Sequence, residues 1–84
     1  MHFGLLVEAR GRIAYRNIDT GAKSSRDIPV LVKDSGETVE VYREGDNPFE
    51  NAFFRGYEGK LVEARGEIDR AGIFYVDDIE VVDA

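Results

Sequence analysis

The chain has 84 residues, of which 43% are hydrophobic and 33% are charged, and this composition fits one globular domain that spans residues 1–84. It contains no cysteine, which excludes disulfides, thiolate metal sites and thiol nucleophiles. The net charge is −6, which gives no long-range attraction for nucleic acid, so any polyanion binding must use a local basic patch.

The beginning of the chain has the features of neither a signal peptide nor a membrane anchor. Its apolar run is not preceded by a basic segment and is interrupted at Glu8. No stretch approaches the ~18 apolar residues that a membrane span requires. We therefore expect a cytoplasmic protein that does not associate with membranes.

The first predicted element is a long strand from Phe3 to Tyr15. Apolar residues occupy the odd positions of this segment, and such a period of two is typical of a strand with one buried face. Gly11 lies in mid-strand on the buried side, where a glycine usually marks a bulge, a bend or a close approach of backbones. The polar residues 17–26 then predict a loop of about ten residues.

Two shorter strands are predicted next. Residues 27–33 form the second, with Val30 on the inner face and Leu31 on the outer face. A tight turn at residues 34–36 leads into the third strand, residues 38–43, on which Tyr42 points outward.

A short helix of near ten residues is predicted after the third strand. Asn47 is a suitable N-cap, Pro48 fits the first helical position and Glu50 completes a capping box. Gly56 is a suitable C-terminal stop. The spacing of Phe53 and its apolar neighbours predicts one stripe that packs on the core.

The second half of the chain repeats part of the first. Leu-Val-Glu-Ala-Arg-Gly occurs at residues 6–11 and again at 61–66, which predicts a fourth strand over residues 58–68 with Gly66 in mid-strand. A short hairpin at residues 69–72 leads to a fifth strand over residues 73–82. Its apolar spacing shifts after Val76, which predicts a bulge at Asp77 and Asp78.

Three strands, a short helix and two more strands resemble the OB-fold, a five-stranded Greek-key barrel with a helix between strands three and four. The resemblance covers essentially the whole chain. It depends on Gly11, on the helix that begins at Asn47 and on the runs 59–66 and 75–82. It implies a mainly β barrel in which the first and fourth strands are neighbours that bend together at Gly11 and Gly66. Another small β-barrel or an α+β sheet is the alternative.

The resemblance also implies a binding surface on strands two and three, flanked by the loops after strands one and four. Single-stranded nucleic acid, DNA or RNA, needs exposed aromatic rings for its bases and cations for its phosphates. Residues 1–36 carry six basic and four acidic side chains, a net of +2. The acidic residues Glu40 and Glu44 flank Tyr42 and oppose phosphate there. The candidate residues are Tyr42 and Tyr15 for stacking, with Tyr15 a core residue in the alternative, and Arg12, Arg16, Lys23, Arg26 and Lys33 for phosphates.

A protein-interaction module is a second hypothesis. Residues 37–84 carry five basic and thirteen acidic side chains, a net of −8, which suits a basic partner. Phe54 lies ~140° from the centre of the predicted helix stripe, so with Leu61 it is a candidate protein interface. Partial burial of Phe54 beside Tyr57 is the alternative. A third hypothesis is a ligand-binding or weakly catalytic domain that uses the acidic run from Asp77, although its spacing matches no calcium loop.

Catalysis is the function that the sequence disfavours. His2 is the only histidine and lies near the chain end, which is a poor position for a catalytic triad. The sequence contains no zinc-protease, P-loop or dinucleotide-binding motif. We therefore predict a binding module without catalytic residues, cofactor or metal.

Overall fold

The computed structural model describes residues 4–19, 25–47 and 51–82, so predictions that concern residues such as His2, Lys23, Pro48 and Glu50 lie outside it. Within these ranges the chain is mainly β, with five strands and one short 3-10 helix. No helix in these ranges is long and apolar enough to cross a membrane. The elements are β1 (Leu5–Asp19), β2 (Ser25–Val32), β3 (Thr38–Tyr42), the 3-10 helix (Ala52–Tyr57), β4 (Leu61–Ile68) and β5 (Phe74–Val81).

The five strands form one mixed sheet whose hydrogen bonds close into a ring in the order β1-β2-β3-β5-β4. All neighbouring pairs are antiparallel except β3 and β5, which are parallel. This ring is compatible with a barrel-like fold. The prediction that the first and fourth strands are neighbours is confirmed.

β1 is long because it pairs with two strands. Residues 5–12 pair with β4 and residues 12–19 pair with β2, so Gly11 lies where the strand changes from one neighbour to the other. A Cβ atom on Gly11 would lie 2.3 Å from the carbonyl oxygen of Val32. The predicted close approach of backbones at Gly11 is therefore confirmed.

The repeated hexapeptide pairs with itself. The two copies run antiparallel with Ala9 opposite Ala64, and this register places a valine of each copy opposite the mid-strand glycine of the other. Gly11 therefore faces Val62, and Gly66 faces Val7 rather than Gly11. The two glycines lie at opposite ends of the paired segment, so the bends that they permit are not side by side.

The same register matches the charges of the repeat. Glu8 lies opposite Arg65, and Arg10 lies opposite Glu63, with ion pairs of 3.4 Å and 3.1 Å. Because the side chains of both pairs are partly exposed, each pair contributes only about 0–1 kcal/mol to stability. Their larger consequence is that a register shifted by two residues would place Glu8 opposite Glu63 or Arg10 opposite Arg65, and such like-charge pairs disfavour slippage of β1 along β4.

The predicted bulge in β5 is confirmed. Arg65 of β4 pairs with Asp78, whereas the next residue, Gly66, pairs with Val76, so Asp77 has no partner on β4. The guanidinium of Arg43 donates to the carbonyl oxygen of Asp77 at 2.7 Å. This contact satisfies a backbone group that the bulge removes from the ladder.

The described ends of the predicted loop over residues 17–26, namely residues 17–19 and 25–26, are strand. Asn17 pairs with Asp27 and Ile18 pairs with Arg26, and the Asn17 side chain donates to the Asp27 carboxylate at 3.0 Å. The side chains of Asn17 and Arg26 are exposed. Their polarity therefore marks the part of the hairpin that extends into solvent, and the prediction mistook it for the end of the strands.

The interior of the ring holds the core, and it corrects the predicted faces of β2. Leu31 is fully buried opposite Ile13, whereas the prediction placed it outward. Ile28 and Val30, on the other face, are also buried. β2 therefore has no polar face by which its orientation could have been read. The core cluster consists of Ile13, Leu31, Val41, Phe54, Val62, Ala64, Phe74 and Val76.

The predicted helix begins later and is tighter than expected. Asn47 is not its N-cap: the 3-10 helix follows Asn51, whose φ of 48° lies in the left-handed region, and the Asn51 amide donates to the Asn47 carbonyl at 2.7 Å. A 3-10 helix has about three residues per turn, which changes the side chains that share a face. Phe54 is fully buried and Phe53 only partly buried, so the prediction that Phe54 is an exposed contact is wrong.

Candidate nucleic-acid interface

A cavity of about 210 Å³ lies on the face of β2, β3 and β5, and we call it the tyrosine cavity. Its two tyrosines come from β3 and β5. Asn51 borders it from the start of the 3-10 helix, and Ile73 borders it from the connection between β4 and β5. The lining residues are Arg26, Ile28, Pro29, Glu40, Val41, Tyr42, Asn51, Ile73 and Tyr75.

The strand register places the two tyrosines side by side. Tyr42 of β3 is the partner of Tyr75 of β5, and their rings meet edge to face with centroids 5.7 Å apart. Their neighbours Val41 and Phe74 are buried in the core. Because side chains alternate along a strand, both tyrosines, and Glu40 two residues before Tyr42, lie on the outer face.

Hydrogen bonds fix the polar ends of both rings. The Tyr42 hydroxyl donates to the carbonyl oxygen of Asp46 at 3.0 Å, and the Tyr75 hydroxyl bonds to the carboxylate of Asp69. Burial, followed by the interaction with Asp69, raises the pKa of Tyr75. The amides of Ala71 and Ile73 also donate to Asp69, and the Ile73 bond is the main reason why the pKa of Asp69 is lowered. Asp69 therefore holds the β4–β5 connection beside the tyrosine cavity.

Besides the two tyrosines, the polar residues that line the tyrosine cavity are Glu40, Arg26 and Asn51. The Glu40 side chain is partly buried and forms no hydrogen bond or ion pair with any residue in the described ranges. Arg26 is exposed at the rim. Asn51 is buried and its side-chain amide donates to the Asp27 carbonyl at 3.2 Å, which ties the helix start to β2.

Tyr15 does not line the tyrosine cavity, although it contacts the lining residue Asn51. Its ring packs against the core, its hydroxyl donates to the carbonyl oxygen of Asn51, and the guanidinium of Arg55 lies over the ring, 3.7 Å from its centroid. One face of Tyr15 is therefore covered by a cation of the same chain. Of the two expectations for Tyr15, the core position agrees with this placement, whereas base stacking on the covered face does not.

Tyr15 should make the stability of the protein fall at high pH. Burial is the main cause that raises its pKa to about 12 in the folded state, against a usual value near 10. The folded state then binds the phenolic proton more tightly, so this contribution is complete below pH ~10 and is lost as the pH rises towards ~12. Urea unfolding followed by circular dichroism should show that the difference in unfolding free energy between the wild type and Tyr15→Phe shrinks over this range. A constant difference would contradict the assignment.

The structure separates the predicted cations into two groups. Arg12 donates to the carbonyl oxygen of Gly59 at 3.0 Å, and Lys33 pairs with Glu37 at 3.0 Å, so both have contacts away from the tyrosine cavity. Arg16 lies on β1 opposite Ile28, which lines the cavity, and Arg26 lines it directly. Tyr42, Arg16 and Arg26 are the predicted site residues that the structure brings together, and Lys23 lies outside the described ranges.

The two residues of the predicted protein interface are not both on the surface. Phe54 is buried, and Leu61 is partly buried opposite Arg12 on β1. Two of the three acidic residues of β5 pair with a residue of the same chain: Arg65 binds Asp78 at 2.6 Å and Glu80 at 3.7 Å. No group of three histidine, aspartate or glutamate side chains that could hold a metal ion occurs in the parts of the chain that the structure describes.

Sequence reasoning missed Tyr75, Asn51 and the two isoleucines of the tyrosine cavity. Alternation in β5 would have placed Tyr75 outward, but its partner Tyr42 becomes visible only once β3 and β5 are known to pair. The cavity is smaller than the ~300–1,000 Å³ of pockets for drug-sized ligands, so it suits a single flat ring system. No family model matches this chain, and no curated protein or solved structure matches it at a significant level.

Proposed function

We propose that this chain is a non-catalytic binding module for single-stranded nucleic acid, built as a five-stranded Greek-key barrel of the OB type. The strand order β1-β2-β3-β5-β4, with a short helix between β3 and β4, supports the barrel assignment. The observation that carries the function is the pairing of Tyr42 with Tyr75 above an apolar wall. We expect the protein to act in the cytoplasm, where single-stranded nucleic acid is present.

The two tyrosines supply what a nucleobase needs. Aromatic side chains stack on the π-face of any base. A bound base would also leave water and contact the apolar side chains of Ile28, Pro29 and Ile73. Both hydroxyls are already engaged with Asp46 and Asp69, so the ring planes are held before a ligand arrives. A preorganised stacking surface lowers the entropy that binding costs.

The cations near the tyrosine cavity would meet the phosphates that flank the bound base. Arg26 lies at the rim and Arg16 lies on the adjacent strand, and Lys23 belongs to the connection that precedes Arg26 in sequence. These few cations act within a protein of net charge −6, so the attraction is local. We therefore expect moderate affinity and a weak dependence on salt.

Tyr42→Ala should weaken binding of a fluorescent single-stranded oligonucleotide by ~1–3 kcal/mol, the usual value of one stacked base. Tyr42→Phe is the matched control, because it keeps the ring and loses only the hydrogen bond to Asp46. Anisotropy titrations at low salt measure both variants, with circular dichroism to confirm that each is folded. Equal affinity of Tyr42→Ala and the wild type would exclude this surface.

A protein-interaction module is the second candidate, and a different observation favours it. Leu5 and Leu6, at the start of β1, are 75% and 82% exposed, and Glu8, two residues after Leu6 on the same strand, belongs to the acidic residues around Arg65. Exposed apolar side chains of this size are common at contact surfaces. Light scattering over a concentration series tests self-association. A mass that stays monomeric at high concentration leaves only a different protein as the partner.

A further inference from the structure

The carboxylate of Glu40 distinguishes the tyrosine cavity from a simple stacking platform. Glu40 lies on the same face of β3 as Tyr42, is partly buried and has no hydrogen-bond donor in the described ranges. On the opposite side of the ring, by contrast, the carboxylates of Glu8, Glu63 and Asp78 all reach Arg10 or Arg65. Among the described residues, Glu40 is therefore an acceptor without a donor, and it lines a cavity that a ligand can enter.

We propose that the tyrosine cavity selects guanine, with the Glu40 carboxylate accepting hydrogen bonds from the Watson–Crick edge of the base. This inference rests on the proposed nucleic-acid function. An ionised carboxylate has two oxygens that only accept, so it is best matched by two adjacent donors. Guanine offers such a pair in N1–H and the 2-amino group.

The other bases lack that pair of donors. Adenine and cytosine place a ring-nitrogen acceptor beside their amino group, and uracil and thymine flank their single N3–H with two carbonyl oxygens. Each therefore presents at least one lone pair to the second oxygen of Glu40, where guanine presents a proton. Hydrogen bonds to an ionised group are about twice as strong as neutral ones, so this mismatch gives real discrimination.

Arg26 supplies donors that fit guanine, and its positive charge disfavours a cationic ligand. Arg26 lines the same cavity and is exposed, and the O6 and N7 atoms of guanine are the acceptors that arginine binds best. Two tyrosines and a carboxylate could also hold an ammonium group. Arg26 would repel such a cation, so the combination of Glu40 and Arg26 favours a neutral base that has both donors and acceptors.

The test compares oligonucleotides that differ at one position. Short fluorescent oligothymidylates with a central dG, dA, dC, dT or deoxyinosine are titrated with the full chain and followed by anisotropy. The dG oligonucleotide should bind about 5–150-fold more tightly than the others, which is the range for one bidentate contact to a base. Deoxyinosine keeps N1–H but lacks the 2-amino group, so it should lose most of this advantage.

Two glutamate variants assign the preference to its source. Glu40→Gln keeps the shape of the side chain but replaces one acceptor with a donor, so the dG preference should vanish while oligothymidylate still binds. Glu44→Gln removes the same charge from an exposed side chain outside the cavity and should leave the preference unchanged. A dG preference that survives in Glu40→Gln would overturn the role of Glu40.

The outcomes separate this inference from the proposed function. Equal binding of all five oligonucleotides would overturn guanine selection and leave single-strand binding intact. Absence of binding to every oligonucleotide would overturn both. Tetramethylammonium is titrated in parallel, and binding of this cation together with no binding of nucleic acid would show that the tyrosine cavity serves a cationic ligand instead.

Discussion

Phe54→Ala should destabilise the protein by about 3–5 kcal/mol, the usual cost of removing a fully buried phenylalanine side chain. The Phe54 ring has no exposed surface and packs edge to face on Phe53, with centroids 4.9 Å apart. In so small a core, one neighbouring side chain cannot fill the cavity that loss of the phenyl ring would leave. A domain of this size has a total stability of about 5–15 kcal/mol, so the variant should be close to unfolding at 37 °C.

Urea unfolding monitored by circular dichroism measures this effect, with Phe53→Ala as the matched control. Phe53 is the adjacent residue in the same 3-10 helix, but it is only partly buried, so its loss should cost clearly less. If Phe54 were exposed, as the sequence suggested, Phe53→Ala would destabilise the protein more than Phe54→Ala. That reversal would contradict the described helix geometry.

Gly66→Ala should destabilise the protein by about 3 kcal/mol, at the upper end of the usual cost of overpacking. A Cβ atom at this position would lie 1.9 Å from the carbonyl oxygen of Tyr75, which is far inside contact distance. The obstacle is backbone, so no side-chain rotation relieves it and β4 and β5 must move apart. Because Tyr75 lines the tyrosine cavity, the same shift should also weaken ligand binding.

Gly56→Ala is the control for the loss of a glycine. Gly56 lies in the 3-10 helix, and a Cβ atom there would meet nothing within 4 Å. Its thermal unfolding midpoint should stay close to that of the wild type, whereas the midpoint of Gly66→Ala should fall by several degrees. Equal midpoints for the two variants would show that β4 and β5 do not approach each other closely at Gly66.

The strands could be predicted because their signals are local. Period-two alternation located β1 and β4, and the shifted spacing after Val76 located the bulge at Asp77. The repeat also carries information about how its two copies pair with each other. Two identical segments that pair antiparallel must be complementary to themselves, and here each valine meets a glycine and each glutamate meets an arginine.

The orientation of β2 and the form of the helix could not be read in the same way. Both faces of β2 are apolar and buried, so Leu31 and Val30 carried no sign of which one faces the core. The capping signals at Asn47 were real residue preferences, but the helix is held by Phe54 in the core and by the contact of Asn51 with β2. Tertiary packing decides a helix this short.

The candidate site could be predicted only in part. Tyr42 was identified because its outward position follows from alternation in its own strand. Tyr75 was missed because its relation to Tyr42 depends on pairing between β3 and β5, which lie 33 positions apart in sequence at this point. Arg12 was included because it is basic, although its guanidinium is engaged by the carbonyl of Gly59. Strand pairing and side-chain contacts join residues that are far apart in the sequence, so they could not be predicted from a single sequence.

A salt-dependent titration of labelled single-stranded DNA and RNA oligonucleotides, followed by anisotropy, decides whether the tyrosine cavity binds single strands. We expect binding at low salt that weakens as salt rises, with a slope of about −0.7 per phosphate contact and a total that corresponds to two or three cations. Absence of binding at low salt, where electrostatic attraction is strongest, would contradict single-strand recognition by the tyrosine cavity.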